Sequence, residues 1–270
     1  MHLHLKGKKA LVTGSSKGIG EAIARKLASE EAIVIVHGRD RSQAERVAND
    51  IVAQGGRAHV VIGDLTQDDE VESLVKQAEA LVGTIDILVN NAGGSGGTVE
   101  TWTTAQAATW ASAFDRNVIA AVRITTRLLP NMQEAKWGRV INISSLAATM
   151  TPPTRADYSA AKAAMNAMTA SMAKAVAADG VTVNAVSPGT IRSEVLDGAF
   201  RQAATQHGLE KDAPWEEIER VALPLFAQVP LGRVGTLDEL ADAITFLASP
   251  LAGYITGVNL RIDGGLSPVL

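Results

Sequence analysis

The sequence predicts a doubly wound α/β domain, a seven-stranded parallel sheet with helices on both faces. Three observations carry this. Short, almost unbroken apolar runs rich in β-branched residues alternate with amphipathic stretches, the pattern of strands covered on both sides. Glycines and small polar residues collect at the C-terminal ends of those runs, where such sheets bind ligands. No linker or low-complexity stretch divides the 270 residues, so one domain spanning 1–270 is expected, at a length α/β folds reach undivided.

The elements follow in order. ALVTG (10–14) reads as a buried strand ending in a glycine-rich turn, and residues 19–30 have helical spacing. AIVIVH (32–37) is a second strand. An amphipathic helix over 42–54 follows, closed by Gly55 and Gly56. AHVVIGD (58–64) is a third strand, followed by a helix over 68–83. IDILVNNAG (85–93) is the fourth strand. A long helix is predicted from about Thr104 to Leu129, stopped by Pro130, because proline inside a helix removes a hydrogen bond and clashes with the preceding turn. RVINISS (139–145) is the fifth strand and leads into a helix over 157–177. VTVNAVSPG (181–189) is the sixth strand. Beyond an irregular segment come a helix over 237–249 and a last strand, VNLRID (258–263).

Composition narrows the function classes. The net charge is −4, so no basic field exists for nucleic acid or an anionic membrane. The chain has no cysteine, which excludes disulfides, thiolate metal sites and a thiol nucleophile. No apolar stretch approaches the ~20 residues that span a bilayer, and the first residues lack the apolar run of a signal peptide. A soluble cytoplasmic protein is expected, with His2 and His4 in a flexible start and no metal.

TGSSKGIG (13–20) follows a strand and opens a helix, the context a dinucleotide-binding turn requires. Its glycines are not spaced as G-x-G-x-x-G, but the same logic holds. One makes the tight turn, one admits the pyrophosphate, and one lets the helix pack on the sheet. Backbone N–H groups at a helix start bind phosphate. Gly14, Ser16, Lys17, Gly18, Ile19 and Gly20 form the expected cradle. The second strand ends in His37-Gly38-Arg39, where an NAD-selecting protein usually carries an acid. Arginine pairs with a ribose 2′-phosphate, and Lys17 adds charge. Asp40, followed by Gln43, reads as a helix N-cap with its box partner. NADP is therefore expected over NAD, with Gly38 and Arg39 at the discriminating position.

Tyr158 and Lys162 lie four apart in a run of alanine, serine and methionine, so a helix puts both on one face, about 6 Å apart. Hydride reduction of a ketone leaves an oxyanion that needs a proton. A nearby ammonium is expected to lower the tyrosine's pKa toward working pH, making Tyr158 the proton donor and acceptor.

The combination TGSSKGIG, Asp64-Leu65, NNAG (90–93), Asn117, GRVINISS (138–145), YSAAK (158–162), VNAVSPG (183–189) and YITGVNLRIDGG resembles the short-chain dehydrogenases and reductases. The nearest branch is the compact one that includes 3-oxoacyl-carrier-protein reductases. The resemblance spans Lys6 to about Gly265 and implies a Rossmann-type fold and an NAD(P)-dependent oxidoreductase acting on a carbonyl or secondary alcohol. It also implies residue roles. Asp64 and Leu65 would contact adenine, and Asn91, Ala92 and Gly93 would back the adenosine ribose. Pro188, Gly189 and Ile191 would line the nicotinamide side, and Lys162 would hold the nicotinamide ribose. Ser145 would bind the substrate oxygen. Asn117 would mark a helix distortion holding a water in a proton relay.

In that family residues 190–230 form a helical lid. Phe200, Trp215, Leu223, Leu225 and Phe226 are candidate walls, as are Thr151 to Pro153 and the segment 94–103. Docking an acidic carrier protein would need bases such as Lys136 and Arg139, against which Asp179 stands. Two other classes compete. A cofactor-binding sensor should lack a catalytic residue, and none is missing. An epimerase or dehydratase needs a larger C-terminal domain. The helix over 157–177 is small or apolar around most of its circumference, so its outer side is expected to be an interface. A homotetramer is expected, with a dimer as the fallback.

Overall fold

In the computed structural model, residues 2–97 and 100–268 are described. The elements are β1 (Lys9–Val12), α1 (Gly18–Ser29), β2 (Ile33–Gly38), α2 (Arg41–Ala53), β3 (Arg57–Ile62), α3 (Asp68–Val82), β4 (Ile87–Asn90), α4 (Ala107–Phe114), α5 (Ala120–Glu134), β5 (Gly138–Ile143), α6 (Ala156–Val176), β6 (Val181–Pro188), α7 (Glu194–Gln206), α8 (Trp215–Phe226), α9 (Leu237–Ala248) and β7 (Asn259–Ile262). The strands form one seven-stranded sheet in the order β3-β2-β1-β4-β5-β6-β7, and every neighbouring pair is parallel. The order reverses between β1 and β4, which is where such sheets open a ligand crevice.

Alternation along the strands builds two cores. Ala10 and Val12 of β1 and Val34 and Val36 of β2 face Ile23, Leu27, Val47, Ile51 and Ile244 from α1, α2 and α9. Leu11 and Ile35, one residue out of phase, face Leu74, Ile124, Leu128 and Val176 from α3, α5 and α6. Period-2 side-chain direction with apolar residues on both faces is what covered parallel strands require. A third, smaller core joins α7 and α8 through Phe200, Ala204, Ile218, Ala222 and Leu223.

The structure departs from the sequence expectations in three places. Strands stop short of their polar tips: β1 ends at Val12, β4 at Asn90 and β5 at Ile143. Pro130 does not stop its helix, which continues to Glu134. Pro130 and Thr126, the residue whose carbonyl it leaves unbonded, are both exposed, so water can take the place of the missing donor. The long helix is interrupted by a π-turn over Asp115–Ile119, the helix distortion at Asn117 that the family resemblance implies. The residues before β1 do not form a loose start, since Leu3 and Leu5 are buried in the first core.

Candidate active site

The glycine turn between β1 and α1 is held from both sides. Gly14 adopts a φ of +62°, open to glycine at little cost. A Cβ on Gly20 would collide with the Gly14 carbonyl and the Asn91 amide, so only glycine brings α1 this close. The Asn91 side chain donates to the carbonyls of Thr13 (2.9 Å) and Gly14 (3.0 Å). Thr13 Oγ1 accepts from the backbone of Asn91 and Ala92. On the other side His37 Nδ1 accepts the Gly14 N–H at 3.0 Å, and Nε2 lies 3.0 Å from the Gly63 carbonyl. The acceptor role of Nδ1 assigns the proton to Nε2. Burial pushes the ring's pKa down to about 4, with the Gly63 carbonyl opposing. In sequence His37 reads only as a strand tip; a polar residue in an otherwise apolar buried run was the available signal.

At the end of the crevice beside β2, Arg39 is largely exposed and lies 3.6 Å from Asp64. Asp64 Oδ1 accepts from the Thr66 backbone (2.9 Å) and hydroxyl (2.8 Å). The Thr66 N–H holds its carboxyl below the ordinary value against burial, helped by the Thr66 hydroxyl and Arg39. Leu65 is buried. Asp40 caps α2, accepting from the Gln43 N–H. The Gln43 side chain returns to the Asp40 carboxylate rather than to its backbone. Lys17, Ile19 and Gly38 complete this end of the crevice; Gly18, at the start of α1, does not line it.

Ser145, Tyr158 and Lys162 converge at the C-terminal ends of β5 and β6. Ser145 ends the turn after β5, its Oγ accepting from the Ala147 N–H at 3.1 Å. The Tyr158 hydroxyl faces the Ser145 side chain, whose proximity favours the phenolate. Lys162 is buried, and its ammonium donates to the Ile143 carbonyl at 2.7 Å. It lies 5.7 Å from the Tyr158 ring centroid. The expectation that this ammonium lowers the phenol's pKa is overturned. Burial raises the Tyr158 pKa, with the Ser145 side chain and the Arg155 charge opposing. Burial also pulls Lys162 down to about 8. Withdrawing two groups from water outweighs the pairing of a lysine whose proton is directed at a backbone carbonyl.

Asn117 sits in the π-turn and is fully buried. Its Oδ1 accepts from Gly94 N (2.9 Å), and its Nδ2 donates to the carbonyls of Gly94 (3.0 Å) and Ala113 (2.8 Å). It therefore ties the segment after Gly93 to the end of α4 and the π-turn. Pro188, Gly189 and Ile191 line the opposite side. Ser193, absent from the residues expected on sequence grounds, also lines it and caps α7 by accepting from Leu196 N at 3.3 Å. A serine followed by an amphipathic run was the signal.

Apart from Gly18 and the fully buried Asn117, the site residues expected from sequence border one crevice of about 760 Å³, reaching from Arg39 and Asp64 to Ser145, Tyr158 and Ser193. Among the lid candidates, Phe200 is no wall, being buried in the α7–α8 core with Trp215 stacked on it; Leu223, in the same core, borders a separate cavity of about 560 Å³ between α8 and residues 227–232 rather than the crevice. Leu225 and Phe226 are half-exposed. Within the segment 94–103, Thr98 and Val99 lie outside the described residues. The two candidate docking bases are not free. Lys136 pairs with Asp179 at 2.6 Å. Arg139 is buried, donating to the carbonyls of Gly138, Gly180 and Ser249. Among the described residues there is no cluster suited to a metal, and no helix is long and apolar enough to cross a membrane.

Residues 8–204 match the family model described as short chain dehydrogenase. Nodulation protein G of a Rhizobium species is 36% identical over 265 residues, covering 98% of this chain and 99% of that protein. The 3-oxoacyl-[acyl-carrier-protein] reductase of Vibrio cholerae is 36% identical over 264 residues, with 98% and 99% covered. Among solved structures, the L-sorbose reductase of Gluconobacter frateurii, complexed with NADPH and L-sorbose, superposes with a TM-score of 0.91 at 30% identity, covering all of both chains.

Proposed function

The chain belongs to the short-chain dehydrogenase family and is an oxidoreductase; from that premise we propose that it uses NADP to interconvert a small carbonyl compound and its secondary alcohol, with Tyr158 as proton donor and acceptor. The observation that carries this is the single crevice joining the glycine turn, Arg39 and the Ser145–Tyr158–Lys162 group. The L-sorbose reductase holds NADPH, which supports the cofactor.

The residues present fit an adenine dinucleotide phosphate. The α1 N-terminus and the turn from Gly14 to Gly20, with no room for a side chain at Gly20, suit a pyrophosphate. Arg39, Lys17 and Ser16 suit a 2′-phosphate, Asp64 and Leu65 the adenine, and Asn91, Ala92 and Gly93 the adenosine ribose. Pro188, Gly189, Ile191 and Lys162 border the nicotinamide end. When bound, the nicotinamide supplies or accepts the hydride. Ser145 and Tyr158 hold the substrate oxygen between two hydroxyls and stabilise the charge that develops there. The Tyr158 hydroxyl gives its proton to that oxygen in reduction and takes it back in oxidation. A phenol kept protonated by burial is suited to donate. Lys162 stabilises the phenolate as it forms. Asn117 anchors the π-turn beside this group, where a water would feed the proton relay.

Residues 190–230 act as the substrate lid. A freely diffusing substrate is favoured over a carrier-borne one, because Lys136 is tied to Asp179 and Arg139 is buried. Fluorescence titration with NADPH and NADH, then turnover of a panel of ketones, ketoses and 3-oxoacyl thioesters, tests the reading. Failure to bind either nucleotide, or binding without turnover of any carbonyl, would replace it with a cofactor-sensing role.

A further inference from the structure

An acid stands at the head of the helix that receives the cofactor's phosphates. Glu21 lies in the first turn of α1, one residue beyond the glycine turn. An open carboxylate there favours the helix by itself but repels an anionic ligand. Two arginines cover it. Arg46, from α2, donates to Glu21 through both terminal nitrogens, at 2.6 and 3.1 Å. Arg25 donates through Nε (2.9 Å) and Nη2 (2.7 Å). Asp50 pairs with Arg25 at 2.7 Å and with Arg46 at 3.5 Å, so the four charges cancel.

Arg46 does something the other three do not. Its Nη2 also donates to the backbone carbonyl of Ser16 at 3.2 Å. Ser16 lies against the tip of β2, where a Cβ on Gly38 would sit 3.0 Å from its hydroxyl. Ser16 thus sits at the point of the crevice nearest Gly38 and Arg39. One guanidinium screens the acid and fixes the peptide that presents Ser16 and Lys17.

Resting on the NADP reading above, we propose that Arg46 is a specificity-determining residue for the cofactor, keeping the rim of the glycine turn receptive to a 2′-phosphate by masking Glu21 and holding the Ser16 carbonyl. It acts through its neighbours and is a positioning residue. Removing it leaves Glu21 and Asp50 against Arg25 alone, a net negative charge beside the turn. The nucleotide with the additional phosphate is penalised most.

The test is the ratio of dissociation constants for NADPH and NADH, by nicotinamide fluorescence, in wild type, Arg46→Gln, Glu21→Gln and the double variant. Arg46→Gln should weaken NADPH on the order of tenfold, the effect of one uncovered charge, and NADH distinctly less, because NADH brings only the pyrophosphate near the acid, with circular dichroism reporting an intact fold. The double variant should recover most of the NADPH affinity, because the acid needing the mask is gone. The Arg46→Gln effect should shrink as salt is raised. Equal weakening of both nucleotides would assign Arg46 a structural role, and absence of recovery in the double variant would exclude masking; either overturns the proposal. A wild type that does not favour NADPH would sink the NADP reading instead, whereas the shift in the ratio on removing Arg46 judges this inference in either case.

Discussion

The Nδ1 atom of His37 accepts the backbone N–H of Gly14 at 3.0 Å, while the opposite ring nitrogen lies 3.0 Å from the Gly63 carbonyl. The ring thus joins the ends of β1, β2 and β3 beneath the crevice. It does so only when neutral, because a protonated Nδ1 has no lone pair for Gly14. With Asn91 holding the Gly14 carbonyl from the other side, the turn is set before any ligand arrives.

This gives stability a specific pH dependence. His37 has a pKa of about 4 in the fold against 6.5 for the free group. Between those values the unfolded chain binds more protons, so stability rises with pH through the window and is lost as pH falls from 6.5 toward 4. The shift corresponds to about 3 kcal/mol. His37→Gln should cost about 1–3 kcal/mol at pH 7 by removing these hydrogen bonds, yet flatten this part of the profile. Urea unfolding at pH 7, 5.5 and 4.5 reads both effects. Parallel profiles for the two proteins would mean that His37 does not remain neutral in the fold.

Tyr158→Phe keeps the ring and removes the proton. Turnover should fall by roughly 10²–10⁴, the range for loss of a positioned general acid, with NADPH affinity nearly unchanged. Lys162→Ala should lower both turnover and nucleotide affinity. Single-turnover measurements with saturating NADPH separate the two. Substantial activity in Tyr158→Phe would assign proton donation to another group.

Much of this was legible because the sheet's demands are local. Buried parallel strands need unbroken apolar runs, and seven such runs are visible. The crevice lies at strand ends, where Thr13, Asn91 and Ser144 interrupt those runs with polar groups that bond the backbone. The hidden features depend on what packs nearby. Pro130 reads as a helix stop until it is found on an exposed face. The α7 and α8 helices read as an irregular segment although both are amphipathic, because Gly198 and Pro224 interrupt them in sequence; their apolar faces meet in a small core of their own. The protonation of Tyr158 could not be read from its spacing to Lys162. The i, i+4 relation fixes which face both occupy, but not that the lysine donates to Ile143.

Arg39 is exposed, and its pairing with Asp64 at 3.6 Å is a weak surface interaction, so little holds it back from a phosphate. Arg39→Ala should weaken NADPH binding by about tenfold or more, the effect of removing one charge-assisted hydrogen bond, and leave NADH nearly unaffected. Unlike the removal of Arg46, this defect should not be repaired by Glu21→Gln. An equal effect on both nucleotides would remove Arg39 from the 2′-phosphate site.

The outer side of α6 carries Ala163, Ala167 and Ser171 exposed at four-residue spacing, while Met165, Thr169 and Ala173 are buried on its inner side. Small residues along one helical stripe let another helix approach closely, and no described residue of the chain covers this stripe. Ile119, at the end of the π-turn, is also exposed, as are Leu251 and Tyr254 near β7. A two-fold contact built on α6, with a second contact near β7, gives closed symmetry. The expected assembly is a homotetramer, with a dimer if only one contact forms. Light scattering at micromolar concentration should give a mass near four times the 28.2 kDa of one chain. Ala167→Arg, placing a long charged side chain in the stripe, should lower that mass without reducing helix content by circular dichroism. A wild-type mass near that of one chain would overturn the interface, and an unchanged tetramer in Ala167→Arg would move it away from α6.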